Sequence, residues 1–160
     1  MTKSAHSTTI VGWREWVGLP SAKVPWIKAK LDTGARSSAV HAFDLQVLPP
    51  GADGIENVRF SLRPWQGSDD DTVVVECPIF DRRAVRSSSG HTEQRIVVLM
   101  VVVLAGREVT TEMTLSNRDT MGFRMLIGRE ALRQGFIIDP ARSFLGGRAP
   151  KAIRHINRGG

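Results

Sequence analysis

The chain has 160 residues, with 22 lysines and arginines against 16 acidic residues and a formal net charge of +6. That length suits one domain with a real hydrophobic core, and a positive balance carried mainly by arginine favours acidic partners. No apolar run approaches the roughly 18 residues that span a bilayer, the polar stretch 1–9 lacks a signal-peptide core, and the single cysteine, Cys77, excludes an internal disulfide framework and fits a reducing, cytoplasmic setting.

Residues 1–9 read as a disordered leader. From 10 to 16, Ile10, Gly12, Trp13 and Trp16 interleave with Arg14 and Glu15, which predicts a first strand closed by Gly18-Leu19-Pro20. Residues 26–31 predict a strand that runs into Asp32-Thr33-Gly34-Ala35, and 38–47 its outgoing partner, stopped by Pro49-Pro50-Gly51. Further strands are expected at 58–62 and 72–80, the latter with the β-branched run Val73-Val74-Val75 and an acidic loop before it. Cys77, ahead of Pro78, reads as a small buried hydrophobe.

Residues 82–91 read as a basic stretch with Ser87-Ser88-Ser89-Gly90 as an exposed turn. The strongest strand signal is 95–104, with Ala105-Gly106 turning into 109–115. The apolar run 123–128 leads into a helix at 129–134, halted by Gly135. A last strand at 136–138 ends at Asp139-Pro140, and 146–160 reads as a basic flexible tail. Short strands at regular spacing with one short helix predict an all-β barrel or sandwich in a single domain over 10–145.

Asp32-Thr33-Gly34-Ala35 is the most informative motif. A carboxylate on a tight turn at a strand end, with Gly34 permitting close backbone approach, is what an aspartic-peptidase half-site requires. An isolated Asp-Thr-Gly is also an ordinary turn signal. Its weight comes from the second motif, Phe123-Arg124-Met125-Leu126-Ile127-Gly128-Arg129-Glu130-Ala131-Leu132, in the right order downstream.

With these residues, and with Val11-Gly12-Trp13-Arg14-Glu15-Trp16-Val17, Lys28-Ala29-Lys30-Leu31, His41-Ala42, Val85-Arg86-Ser87-Ser88 and Thr114-Leu115-Ser116-Asn117-Arg118-Asp119, the chain resembles a family of retropepsin-like aspartic peptidases. That family is associated with RimK-type glutamate ligases and often labelled ATP-dependent zinc protease. The resemblance covers about 10–145. It implies a closed, all-β retropepsin-like barrel with one short C-terminal helix and a catalytic aspartate acting on acidic or glutamate-rich peptides. It also implies a functional link to a RimK-type ligase.

The chemistry needs two carboxylates about 3 Å apart sharing a proton. The chain holds one Asp-Thr-Gly, so a homodimer with Asp32 from each copy is the simplest solution. Asp32, Thr33 and Gly34 are the expected catalytic residues, with Thr33 bracing the paired loops. Ala35, Arg36, Ser37, Arg83, Arg86, Ser87, Arg124 and Arg129 are the expected substrate contacts, Arg83 to Ser87 lying where a retropepsin carries its flap. For Arg36 the alternative is a structural pair with Asp44 or Glu130; for Arg124 and Arg129 it is an ion pair with Glu130 or Asp119.

Neither zinc nor ATP is expected as a cofactor. There is no His-Glu-x-x-His, the four histidines (His6, His41, His91, His155) are scattered, and no Gly-rich Lys-Ser/Thr phosphate loop is present. Two further readings stand beside the peptidase: a non-catalytic module that holds acidic tails in the same cleft, and, least favoured, nucleic-acid association through the basic tail.

Overall fold

The computed structural model describes residues 8–65, 71–86, 90–116 and 122–156. The elements in chain order are β1 (Thr9–Gly12), β2 (Arg14–Leu19), β3 (Val24–Leu31), β4 (Ser38–His41), β5 (Phe43–Leu48), β6 (Asn57–Leu62) and β7 (Val73–Pro78). They continue with β8 (Asp81–Arg86), β9 (Thr92–Leu104), β10 (Arg107–Ser116), β11 (Met125–Ile127), α1 (Arg129–Leu132), β12 (Phe136–Asp139) and α2 (Lys151–Ile156).

The largest sheet runs β10-β4-β11-β3-β2-β9-β8, and β9 pairs with β10 as well, so the order closes on itself. The expected all-β, barrel-like architecture is what forms. Alternation explains the inside of the ring. Val98, Met100, Val102 and Leu104 of β9 are buried while Leu99 is 48% exposed on the outer side. On β10 the inward set is Val109, Thr111, Met113 and Leu115. A separate sheet, β5-β6-β7, contributes Val58, Phe60, Leu62 and Val75 to the same core. Each such fully buried side chain stabilises the fold by about 1.5–3 kcal/mol.

Several local expectations are corrected. The predicted strand 10–16 is two strands: β1 pairs in parallel with β12, and β2 pairs with β3. Gly12 at the break lies so close to the strap 142–146 that a Cβ there would sit 2.5 Å from the Arg142 carbonyl oxygen. The polarity also inverts, with Ile10 58% exposed and Glu15 fully buried. The predicted strand 38–47 changes sheets at Ala42, where Asp44 has a positive φ of 54°.

The basic stretch 82–91, for which only an exposed turn at 87–90 was expected, begins in a strand: β8 pairs with β9 from Asp81↔Val97 to Arg86↔Thr92. Arg83 and Arg95 face each other in that ladder. Their repulsion is offset because Arg83 binds Asp81 and Glu112 while Arg95 binds Glu93. Cys77 is half-buried, and burial pushes its thiol up, so it stays protonated. In the stretch after Gly146, Ala149 is buried and residues 151–156 form α2. Among the described residues no helix is long and apolar enough to cross a membrane.

Candidate active site

β3 delivers Asp32 to the end of the barrel wall, and β4 leaves from the same loop. β11 is wedged between them, parallel to β3 and antiparallel to β4. The loop 32–37 therefore arches over the end of a strand that arrives much later in the sequence.

Backbone hydrogen bonds fix that arch. The Asp32 amide donates to the Ile127 carbonyl at 2.8 Å, and the Ala35 amide to the Asp32 carbonyl at 3.2 Å. Below the arch, Gly128 starts α1. The Arg129 amide donates to the Ala35 carbonyl at 2.7 Å and the Glu130 amide to the Arg36 carbonyl at 2.9 Å. The Gly128 amide donates to Ser38 Oγ at 3.0 Å. The free N–H groups of the helix start are thus satisfied by the candidate catalytic loop itself. No side chain fits at Gly128, since a Cβ would lie 2.5 Å from the Ser37 carbonyl oxygen and 2.9 Å from that of Ala35.

The Asp32 carboxylate is half-buried, and its Oδ1 accepts the Gly34 amide at 2.9 Å. A Cβ at Gly34 would stand 3.1 Å from that oxygen, a tight contact with the carboxylate. One carboxylate oxygen is thereby oriented by the backbone.

The expected substrate contacts are placed unevenly. Arg129 is exposed at the arch and donates Nη1–H to the Thr33 carbonyl at 3.0 Å. Arg36 is exposed and makes no ion pair among the described residues; Glu130 instead meets Arg133. Arg124 is buried and donates from Nη1 to the carbonyls of Arg63 (3.2 Å) and Trp65 (2.8 Å), tying the end of β6 to β11. Arg83 is engaged by Asp81 at 2.8 Å and Glu112 at 2.7 Å, hydrogen bonds that raise its pKa further above the usual arginine value. The side chain of Arg86 and all of Ser87 lie outside the described residues, as does Asp119.

Sequence reasoning placed Gly128 in the second motif but passed over Ser38 and Trp13 as parts of the site. Ser38 Oγ anchors the helix start, and the Trp13 carbonyl accepts the Leu31 amide at 2.9 Å beside Asp32. Only the small-residue run Ser37-Ser38 hinted at the first of these. Among the described residues no three His, Cys, Asp or Glu side chains gather as a metal-ligand set.

Comparison with known proteins bears on the family and the fold. Residues 10–149 match the RimB-like family, described as retropepsin-like aspartic endopeptidase RimB. A "probable alpha-L-glutamate ligase" of Shewanella pealeana is 42% identical over 135 residues, 84% of this chain and 29% of the relative. One of the same name from Desulfotalea psychrophila is 43% identical over 134 residues, 82% of this chain and 28% of the relative. The chain thus spans less than a third of the length of these relatives. A solved structure, the Legionella pneumophila protein Lpg0085 of unknown function, superposes with a TM-score of 0.72 at 26% identity, covering 88% of this chain and 99% of its own. With its Asp-Thr-Gly arch locked over Gly128, the chain belongs to the RimB-like family of retropepsin-like aspartic endopeptidases.

Proposed function

We propose that this chain is a cytoplasmic aspartic peptidase that cleaves acidic or glutamylated peptides, with Asp32 paired against Asp32 of a second copy. The observation that carries the reading is the half-buried Asp32 carboxylate, oriented by the Gly34 amide on an arch clamped to β11 and α1.

In this reading the two carboxylates hold one proton between them. The ionised one takes a proton from water as its oxygen adds to the peptide carbonyl carbon, and the protonated one gives its proton to the carbonyl oxygen. The resulting gem-diol collapses: the C–N bond breaks, the departing nitrogen takes a proton from the acid that removed it from water, and the other aspartate takes back a hydroxyl proton as the C=O re-forms, which restores the shared proton. Thr33 braces the paired loops, while Ala35 and Ser37 line the arch. Arg36, exposed and without an ion pair among the described residues, and Arg129 supply positive charge for an acidic substrate.

Dimerisation is supported by the β1–β12 sheet. Ile10 and Ile137 are direct partners on one face, 58% and 56% exposed. Neither strand has a further partner among the described residues. An apolar pair on an open two-stranded sheet is an unfinished interface.

Relatives named as probable glutamate ligases support a functional link to ligation, and they favour one alternative: a cleft that holds acidic tails without cutting them. Cleavage of a panel of glutamate-rich and neutral peptides by wild type and Asp32→Asn, each with and without EDTA, separates the two. The peptidase reading expects turnover that is lost in Asp32→Asn and indifferent to EDTA. Undiminished turnover by the variant sinks it, and binding without turnover by wild type transfers the function to the binding module.

A further inference from the structure

The outer face of β2 and β3 collects cations that pair with no carboxylate among the described residues. Arg14 stands opposite Lys30, and Trp16 opposite Lys28, in antiparallel register. Alternation puts these four on one side of the sheet, opposite the buried Ala29 and Leu31.

Aromatic rings space the charges. The Arg14 guanidinium lies 4.8 Å from the Trp13 ring and 5.0 Å from that of Phe144. Lys28 sits 5.8 Å from Phe123, and Arg148 5.8 Å from Phe144. Phe123 in turn meets Trp13 edge-on at 6.0 Å, and Phe144 stacks on Trp16 at 5.9 Å.

Among the described residues, no carboxylate pairs with Arg14, Lys28, Lys30 or Arg148. Elsewhere several exposed arginines are paired, Arg59 with Glu76, Arg82 with Glu56, Arg95 with Glu93 and Arg142 with Asp139, while Arg36 and Arg129 at the arch pair with no carboxylate among the described residues. The acid nearest in sequence, Glu15, points inward and binds backbone amides. Burial, and then the neighbouring Arg14 charge, hold Lys28 below the usual lysine range. The fold therefore keeps like charges together against their mutual repulsion.

We propose that this row is an anion-binding exosite that holds the acidic stretch of a peptide laid along β3. Through the Leu31–Trp13 hydrogen bond it begins beside Asp32. Its role in feeding a substrate to the cleft rests on the peptidase reading; its binding of an acidic peptide does not. Same-face residues of a strand repeat at about 6.6–6.8 Å, so Lys30 and Lys28 offer charge at the interval at which an extended peptide presents alternate side chains. Beyond Trp16 the face opens into a groove of about 670 Å³ walled by Pro20, Val24, Pro25, Trp26 and Val103. That groove accepts an apolar residue flanking the acidic run. A nucleic acid fits less well, because the rings are already occupied by cations and by one another and leave no platform for base stacking.

The test is fluorescence anisotropy of a labelled ten-residue oligoglutamate, at low and high salt, with the full chain carrying Asp32→Asn. Adding Lys28→Gln and Lys30→Gln should weaken binding about fivefold at low salt and flatten its salt dependence. The melting temperature should hold or rise, because a crowded charge has been removed; a purely structural role would lower it. Should that variant unfold, Lys30→Gln with Arg148→Gln, both exposed positions, repeats the measurement. Unchanged affinity in a folded double variant overturns the proposal, as does absence of peptide binding by the Asp32→Asn parent. A ten-nucleotide single-stranded RNA bound more tightly than the peptide, and released by the same substitutions, replaces the peptide with nucleic acid. Failure of wild type to cleave any peptide sinks the peptidase reading and leaves this binding result standing.

Discussion

Glu15 has no exposed surface, and its carboxylate gathers three backbone amides: Gly12 at 2.6 Å, Leu145 at 2.8 Å and Gly146 at 3.0 Å. A carboxylate taken out of water costs several kcal/mol unless such donors replace its hydration. Here they also fasten the strap 142–146 to the start of β2, where Phe144 stacks on Trp16. Glu15→Gln keeps the shape but turns an NH2 group toward N–H donors. It should destabilise the chain by about 2–3 kcal/mol, read as a lowered urea midpoint with an unchanged slope. A midpoint within error of wild type would mean that the clamp carries no stability. The sequence did contain a clue to Glu15, which shares its strand face with the buried Val17 and Leu19. Charge suggested solvent, and the three amides that outweigh it come from a turn and from a segment near the other end of the chain. No local pattern announces those.

At the scale of elements, the wedge of β11 between β3 and β4 decides whether a site exists. Gly128 is its narrowest point, with loop carbonyls at 2.5 and 2.9 Å from where a Cβ would stand. Those neighbours are backbone and cannot rotate away. Gly128→Ala should therefore displace the Asp32 arch, remove cleavage, and destabilise the fold by about 1–3 kcal/mol. Peptide turnover and a thermal melt, measured together, check this; full turnover would mean that the arch tolerates a shift. Strands such as β9 and β10 were readable because alternation or continuous apolar runs mark them. The hairpin partner β8 was not. Arg82, Arg83 and Arg86 hide its period, and its ladder is stabilised by Arg83 reaching Asp81 on its own strand and Glu112 on β10.

For the whole molecule, the open question of chemistry is where a second carboxylate comes from. If the β1–β12 sheet is the contact between copies, Ile10→Asp with Ile137→Asp should turn a dimer into a monomer in sedimentation and abolish cleavage, with the barrel intact by circular dichroism. A variant that stays dimeric puts the interface elsewhere. The Asp-Thr-Gly loop, the Ile-Gly-Arg segment and the all-β class were legible because each is local. Ring closure was not legible from periodicity, since β10 beside β4 and β2 beside β9 are pairings between distant segments; the family resemblance alone implied it.

The arch over β11 also sets an order of events. Residues 32–38 are hydrogen-bonded to Ile127, Gly128, Arg129 and Glu130, so the loop has nothing to close upon until those residues have been synthesised and docked. Contacts of such long sequence separation form late, after the entropy of closing the intervening chain has been met. A nascent or misfolded copy thus carries the aspartate without the arch, and the candidate site arrives only with the finished fold.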